Sequence, residues 1–250
     1  PYANGEIHLG HIVSTYLPAD IFARFWRAKG KKVAFICATD DYGTPILLRS
    51  EKEGIKPSDY VEYWNKRDHK DFEDADIKFD YFDKTSSKEN TELTQYFFKK
   101  LLENGLIYKN DITQFYCETD KKFLPDRYVI GECPYCKEDE QYSDGCEKCG
   151  RVFTHFEVLR PRCITCKTKP VVKTSIHYFF RLSELSDNLK KWLLDNKNLQ
   201  TNVKNYVMNW IDDGLKDWDI TRDITWGVPI PLEEAKGQVL YGWFDNHLCY

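Results

Sequence analysis

The chain has 250 residues, of which 42% are hydrophobic and 30% charged, a composition typical of a globular protein with room for two domains. It contains no run of about 18 apolar residues, which excludes a membrane-spanning helix, and no secretory signal peptide is recognisable. The net charge of −4 excludes a globally basic protein but leaves room for a local basic face. Because Pro1 opens inside a motif, we expect a longer natural chain.

The first 105 residues alternate between helix and strand patterns. Apolar side chains at helical spacing predict a helix over 10–29, with a bend or break at Pro18. The continuous apolar run 33–40 is typical of a buried parallel strand. Further elements follow in order: helices over 44–54 and 57–77, a strand over 79–85 and a helix over 86–105. This alternation predicts an open α/β sheet.

The pattern changes after residue 106. Short β-like runs with turns lead into a Cys-rich segment that ends near residue 170. A strand is predicted over 174–182, and helices over 183–196 and 201–215. We interpret this part as an insertion into the α/β fold, which resumes near residue 239.

Two histidines, His8 and His11, lie three residues apart at the predicted start of the first helix. On a helix they share one face, and a helix N-terminus offers free N–H groups to a phosphate. Gly10 would allow a ligand to approach the backbone. Taken alone, the pair is more typical of polar surface residues near a helix cap, and half a metal site is a further interpretation.

Seven of the nine cysteines lie between residues 117 and 166. A chain of this size needs no disulfide staples, so the clustering indicates metal ligands in a reducing compartment. The spacing C-x2-C-x9-C-x2-C fits one structural zinc ion held by four thiolates: Cys133, Cys136, Cys146 and Cys149. An iron–sulfur cluster is the alternative, which this spacing does not favour.

A second metal site is one of two interpretations of the remaining cysteines. Cys163 and Cys166 form another C-x2-C pair, and Cys117 precedes Asp120 in the stretch CETD. These four residues could hold a second ion, with His155 as a competing fourth ligand. Otherwise the segment is a degenerate knuckle without metal.

Five stretches resemble one family. PYANGEIHLGH (1–11) resembles the HIGH signature of class I aminoacyl-tRNA synthetases, in the form carried by the methionyl-tRNA synthetases. The other stretches resemble that family in the same order along the chain: FICATDDYGTPI (35–46), FLPDRYVIGECPYC (123–136), DWDITRDITWGVPIP (217–231) and VLYGWFD (239–245).

The resemblance implies a Rossmann-like α/β catalytic fold interrupted by a connective insertion that carries a zinc knuckle. The implied boundaries are 1–88 for the first catalytic half, 89–237 for the insertion with its zinc subdomain at about 113–172, and 238–250 for the start of the second half. The implied protein is a cytoplasmic ligase that uses ATP with Mg²⁺ to adenylate methionine and transfers the methionyl group to tRNA(Met).

The resemblance also assigns residues. ATP would contact His8 and His11, the two catalytic histidines, together with Asn4 and Gly10 in the same loop. Asp40 would bind the amino group of the amino acid; read without the family, it could instead cap a helix with Asp41. Three aromatic residues would line the methionine pocket, although without the family they could equally be core residues: Tyr2, Trp243 and Tyr250. Arg222 is a further candidate at the rim.

Three departures from the family are visible. Asn246 and His247 stand where the family usually has Ala and Pro, followed by Leu248 and Cys249 for Ile and Gly, and Tyr42 stands where His is common. The KMSKS loop and the anticodon-binding helices are absent from the 250 residues, so we expect this chain alone to be inactive or nearly so.

Two other functions remain open at the level of sequence. A class I synthetase for leucine, isoleucine, valine or cysteine shares part of the pattern, but the short insertion with a four-cysteine knuckle favours methionine. A non-catalytic zinc-containing RNA-binding protein would leave His8, His11 and Asp40 without a role.

Overall fold

The computed structural model describes residues 1–248, and the first 103 of these fold as alternating helices and strands. Their order is α1 (Leu9–His11), a π-helical segment (Ile12–Tyr16), α2 (Leu17–Ala28), β1 (Ile36–Thr39), α3 (Thr44–Glu53), α4 (Pro57–Asp74), β2 (Tyr81–Lys84) and α5 (Lys88–Glu103). Ser87 caps α5 by accepting a hydrogen bond from the Asn90 backbone N–H at 3.2 Å. The predicted alternation is thus confirmed.

The first helix passes Pro18 without ending. Pro18 lies in the first turn of α2, and the preceding five residues form the π-helical segment. Proline lacks an N–H donor and crowds the preceding turn, so a wider turn before it lets the helix continue. The expected break at Pro18 is therefore a local change of helix type.

The strand β1 is shorter than the predicted run 33–40, but its parallel pairing with β2 is as expected. The N-terminal segment joins the other edge of β1: the Asp40 N–H donates to the Pro1 carbonyl at 2.7 Å, and the Ala3 N–H donates to the Asp40 carbonyl at 2.9 Å. The start of the chain is thereby fixed beside the carboxyl end of β1.

The second part of the chain contains longer strands than the sequence indicated. Its elements are β3 (Ile107–Cys117), β4 (Lys122–Leu124), β5 (Val129–Glu132), β6 (Gln141–Tyr142), β7 (Leu159–Cys163), β8 (Val171–Phe180), α6 (Ser186–Asp195), α7 (Thr201–Asp212), β9 (Trp218–Asp219), β10 (Thr221–Arg222), β11 (Val239–Leu240) and α8 (Gly242–Asp245). The expected short runs after residue 106 are in fact one antiparallel ribbon of β3 and β8, ten residue pairs long.

Three antiparallel sheets organise this part. The ribbon extends to a four-stranded sheet in the order β4-β3-β8-β9, and the Cys-rich segment forms a three-stranded sheet in the order β6-β5-β7. The strands β10 and β11 pair with each other, and Val239 of β11 forms one further bridge with Pro229. Within residues 1–248, the segment after residue 239 therefore adds no strand to the β1–β2 sheet.

A shared core connects the two parts. Fully or nearly fully buried apolar side chains from α5, the ribbon and the segment 220–240 pack together around Tyr42. This packing fixes the loop after β1 against the returning chain. None of the helices within residues 1–248 is both long and apolar enough to cross a membrane.

Candidate active site and metal centres

The two histidines lie face to face at the start of the first helix. His8 is the N-cap of α1, and its ring stacks on the ring of His11 with centroids 3.7 Å apart. His11 Nδ1 accepts a hydrogen bond from the His8 backbone N–H at 3.3 Å. A neutral His11 therefore carries its proton on Nε2, which makes that atom a hydrogen-bond donor to a ligand.

Gly10 leaves room for the His8 ring. A Cβ atom on Gly10 would lie 2.9 Å from two atoms of the His8 ring, closer than real Cβ contacts allow. Any larger residue at this position would displace the ring from its partner. The glycine therefore preserves the stacking of the histidine pair.

A cavity of about 460 Å³ opens beside this pair. Its volume falls in the usual range for small-molecule sites, about 300–1,000 Å³. Arg49 of α3 closes one side and donates a hydrogen bond to the Asn4 carbonyl. The cavity is lined by Pro1, Tyr2, Asn4, Gly5, Glu6, Ile7, His11, Tyr16 and Arg49. Asn4 and His11 are thus brought together with a cationic side chain.

Tyr2 is held in this cavity by the start of α3. Burial, and after it the nearby Asp40 carboxylate, raises the pKa of its hydroxyl, although the Ile46 backbone N–H opposes this rise. Gly43, at φ 123°, makes room for the ring, because a Cβ atom there would lie 2.7 Å from the Tyr2 hydroxyl oxygen. The position of the Tyr2 ring therefore requires a glycine at residue 43.

Asp40 lies directly after β1, at the edge of the sheet where parallel strands present ligands. Its Oδ1 atom is buried and has no hydrogen-bond partner within residues 1–248. Burial raises the pKa of this carboxyl, whereas hydrogen bonds from the Tyr42 backbone and the Asn246 side chain lower it. Neither Asp40 nor Asp41 caps α3, since its N-cap is Gly43 and no side chain bonds there.

Two more carboxyl groups lie near Asp40. Burial raises the pKa of Asp41 to about 6, although its carboxylate accepts a hydrogen bond from Ser86. Asp245 is fully buried, and neither of its oxygens has a hydrogen-bond partner in the described part of the chain. Burial, followed by the charge of Asp40, raises the pKa of Asp245 to about 8. Sequence reasoning missed Asp245, because only the fold buries it beside the loop after β1.

Trp226 connects the segment after β10 to the loop after β1. Its indole N–H donates to the Asp41 carbonyl at 2.6 Å, and its ring lies 5.2 Å from the Tyr42 ring, centroid to centroid. Arg222 does not line the cavity; its guanidinium stacks on the Tyr241 ring at 4.0 Å.

The aromatic candidate Trp243 does not line the cavity. Trp243 on α8 is 58% exposed, and the edge of the His247 ring meets it at 6.2 Å between centroids. Tyr250 and Cys249 lie outside the described residues. Of the two predicted pocket aromatics that the structure describes, Tyr2 lines the cavity and Trp243 does not.

The four knuckle cysteines converge as their spacing predicts. Their sulfur atoms all lie within 4.8 Å of one another, with Cys136 and Cys146 at 3.5 Å and Cys133 and Cys149 at 3.9 Å. A tetrahedral zinc ion with Zn–S bonds of about 2.3 Å requires sulfur atoms about 3.8 Å apart. The Cys136 and Cys149 backbone N–H groups donate to the sulfurs of Cys133 and Cys146 at 3.5 and 3.4 Å. The donor set fits zinc.

A second group gathers at the ends of β3 and β7. Asp120 Oδ2 lies 3.0 Å from the Cys163 sulfur and 3.4 Å from the Cys117 sulfur, and Cys117 lies 3.3 Å from Cys166. All four ligand atoms lie within 4.8 Å of one another. His155, the competing ligand, instead faces Ser143 and Asp126, so the geometry selects Asp120.

A buried imidazole between two carboxylates was not expected from the sequence. His177 of β8 is fully buried; its Nδ1 lies 2.9 Å from Asp219 and its Nε2 lies 2.8 Å from Asp223. Burial lowers the pKa of His177, but hydrogen bonds to both carboxylates outweigh it and raise the pKa overall. Gln114 and Gln238 donate to Asp223 at 2.7 and 2.8 Å. This cluster joins the ribbon to the chain segment that carries Trp226.

Comparison with known proteins shows the family to which the chain belongs. All 250 residues match the family described as tRNA synthetases class I (M), and the chain belongs to that family. Its fold resembles the crystal structure of Mycobacterium tuberculosis methionyl-tRNA synthetase bound by methionyl-adenylate, with a TM-score of 0.71 at 23% identity over 99% of this chain and 45% of the other.

The sequence relatives within this class are methionine–tRNA ligases. The chain is 49% identical over its whole length to the methionine–tRNA ligase of Methanobrevibacter smithii, of which it covers 38%. It is 47% identical to that of Thermococcus kodakarensis and 45% identical to that of Methanopyrus kandleri, covering 34% and 38% of their lengths. The chain thus spans a little over a third of the relatives it matches.

Proposed function

We propose that the protein of which this chain is a part activates methionine with ATP and Mg²⁺ to methionyl-adenylate and transfers the methionyl group to tRNA(Met). The support is the site together with relatives that are methionine–tRNA ligases. The single observation that carries the proposal is the Oδ1 atom of Asp40 at the end of β1, which is buried and has no hydrogen-bond partner among residues 1–248. It lies next to Tyr2 and the cavity that His11 lines. An unsatisfied carboxylate oxygen is a receptor for a substrate ammonium group.

The histidine pair would act on the other substrate. ATP would occupy the cavity with its phosphates towards His8 and His11, which would donate hydrogen bonds to charge that grows on the α-phosphate. Adenylation is a direct displacement: a methionine carboxylate oxygen bonds to the α-phosphorus, and pyrophosphate leaves with the electron pair of the broken P–O bond. The groups named here therefore bind, orient and stabilise, and none of them forms a covalent bond.

The thioether of methionine would pack against aromatic side chains, of which Tyr2 lies in the cavity wall and Trp243 follows on α8. The exposed Trp243 would have to close over the ligand. Tyr250, which the family pattern also assigns to this pocket, remains a prediction.

We also propose that both cysteine groups hold structural zinc. The first would use Cys133, Cys136, Cys146 and Cys149, and the second would use Cys117, Asp120, Cys163 and Cys166. Four protein ligands leave no open position on the ion, so the metal would stabilise the small sheets around it without taking part in the reaction.

The test of the amino-acid site is the variant Asp40→Asn in the full-length protein. It keeps the shape and removes the charge, so the KM for methionine in ATP–pyrophosphate exchange should rise about a hundredfold, while the KM for ATP stays unchanged. The matched control Asp59→Asn, on the exposed side of α4, should behave as wild type. An unchanged methionine KM in Asp40→Asn would refute the assignment.

A further inference from the structure

We propose that Trp226 is a positioning residue for amino-acid binding: its indole N–H holds the loop after β1 in the conformation that presents the Asp40 carboxylate to the substrate ammonium group. This inference rests on the function proposed above and adds a residue to its amino-acid site. Trp226 belongs to a distant part of the chain, 185 residues after Asp41, whose carbonyl it contacts.

The loop that carries Asp40 depends on other segments for its conformation. It leads from the end of β1 to Gly43 without regular secondary structure. Gly43 has a φ of 123°, which L side chains rarely adopt, and glycine restricts the backbone less than any other residue. Contacts from outside the loop must therefore select one conformation from the many that this stretch could adopt.

The backbone of Asp41 is held on both sides by side chains. Its N–H donates to Thr85 Oγ1 at 3.0 Å, and its carbonyl accepts the hydrogen bond from the Trp226 indole at 2.6 Å. Asp41 is fully buried, so its backbone groups rely on partners within the protein. Both peptide bonds of the residue that follows Asp40 are thereby fixed, and both depend on the identity of a distant side chain.

The Trp226 ring is packed in a way that directs its N–H. The ring contacts three separate groups of buried apolar side chains. One lies around the Cys-rich sheet, one includes Tyr42, and one includes Ala3 and Ile46 beside Tyr2. A ring that is packed on several sides has little freedom to turn, so its N–H stays directed at the Asp41 carbonyl.

The segment that carries Trp226 is anchored on both sides of this residue. Three residues before it, Asp223 lies 2.8 Å from the buried His177 imidazole of the ribbon. Directly after it, Gly227 lies against β11, because a Cβ atom there would be 2.6 Å from Val239 Cγ2. The position of the indole is therefore set by the ribbon and by β11, and the hydrogen bond transmits it to the loop after β1.

Loss of the indole N–H should weaken amino-acid binding through this loop. A buried carbonyl without a donor is unfavourable, so the loop would leave the conformation that presents Asp40 for part of the time. The apparent affinity falls in proportion to the fraction of loops that remain competent. Because every amino acid carries the ammonium group, Trp226 should affect all substrates by the same factor and should not alter the preference for one side chain.

The experiment compares Trp226→Phe with wild type in the full-length protein, by ATP–pyrophosphate exchange with methionine and norleucine. Phenylalanine keeps an aromatic ring but removes the N–H. We expect the KM for both amino acids to rise about tenfold, with kcat and the KM for ATP unchanged. The matched control is Trp192→Phe on α6, where the side chain is 56% exposed, and it should behave as wild type.

A second variant tests the loop from its other side. Thr85→Val keeps the shape of the side chain and removes the oxygen that accepts the hydrogen bond from the Asp41 N–H. It should raise the KM for both amino acids in the same way as Trp226→Phe. A melting temperature within a few degrees of wild type, about 2–4 °C, would show that each variant is folded.

A double-mutant cycle separates positioning from a general structural role. If Trp226 acts through Asp40, Trp226→Phe should raise the methionine KM in the wild-type background but not further in the Asp40→Asn background. A merely structural role would instead raise the KM by the same factor in both backgrounds, and that result would refute the inference.

The outcomes also separate this inference from the proposed function. If Asp40→Asn raises the methionine KM and a folded Trp226→Phe does not, the role of Trp226 is refuted and the proposed function stands. Where Trp226→Phe does not fold, an unchanged methionine KM in Thr85→Val refutes the inference. If Asp40→Asn leaves the KM unchanged, both proposals are refuted. A rise for methionine but not for norleucine would also refute the inference, because it would place Trp226 at the side-chain pocket.

Discussion

Replacing His177 with leucine should destabilise the fold strongly, because it leaves two carboxylates without the cation that pairs them. Removing one partner from a buried ion pair typically costs about 3–5 kcal/mol. The Asp219 side chain is 24% exposed and the Asp223 side chain 12%, so water reaches both. We therefore expect a loss near the lower end, about 3 kcal/mol, in the free energy of unfolding.

The loss should depend on pH in a definite direction. The pKa of His177 is raised in the folded state, so its stabilising contribution is complete below the unfolded value of about 6.5 and disappears as pH rises through the folded value. Burial raises the pKa of Asp223, but hydrogen bonds from His177 and Gln238 bring it down to about 2, so its contribution disappears only in strong acid. The difference between His177→Leu and wild type should be largest near pH 5–6 and should decrease as the pH rises through the folded-state pKa of His177.

Urea unfolding followed by circular dichroism at several pH values measures this difference. The matched control is His69→Leu on α4, where the imidazole is 48% exposed and lies 4.0 Å from Glu73, and its cost should stay within about 0.5 kcal/mol. Equal losses in the two variants, or a loss for His177→Leu that is the same at every pH, would refute the ion-pair account.

Three other predictions concern the proposed sites. Freshly purified protein should contain two zinc ions per chain, and Cys146→Ser should remove one of them while leaving the helices folded. Metal analysis measures the zinc content and circular dichroism measures the helices. Protein purified without zinc would contradict this prediction. Gly43→Ala should raise the methionine KM about tenfold, because the added Cβ would displace Tyr2. Gly54→Ala is the control, since a Cβ there meets no atom, and it should leave the methionine KM unchanged. Equal methionine KM values in the two variants would contradict the packing argument. His8→Ala and His11→Ala should each lower the kcat of adenylation about a hundredfold and change the methionine KM little. A change confined to the methionine KM would argue against contacts between these histidines and the transition state.

Local features of this chain could be predicted from the sequence because they depend on neighbouring residues. The helix that starts at His8, the parallel strand that ends before Asp40 and the four cysteines of the first knuckle follow from periodicity or spacing over fewer than about 20 residues. Each is fixed by short-range geometry, and the structure reproduces each.

Contacts between distant segments could not be predicted in this way. His177 meets Asp219 and Asp223 across 42 and 46 residues, and no local pattern distinguishes this histidine from an exposed one on the same ribbon. The burial of Asp245 depends likewise on the loop after β1, two hundred residues earlier in the chain. Sequence spacing named Asp120 for the second metal group but left His155 as a competing ligand, and only the fold separated them.

The most direct test of the account is ATP–pyrophosphate exchange by the full-length protein with a panel of amino acids. We predict that methionine gives the highest kcat/KM, ahead of norleucine and leucine, because an unbranched thioether packs best against the aromatic side chains of the site. The double variant Asn246→Ala with His247→Pro should keep that order, since the aromatic side chains would supply most contacts to the thioether. A higher kcat/KM for any other amino acid, or no exchange with methionine, would contradict the proposed function.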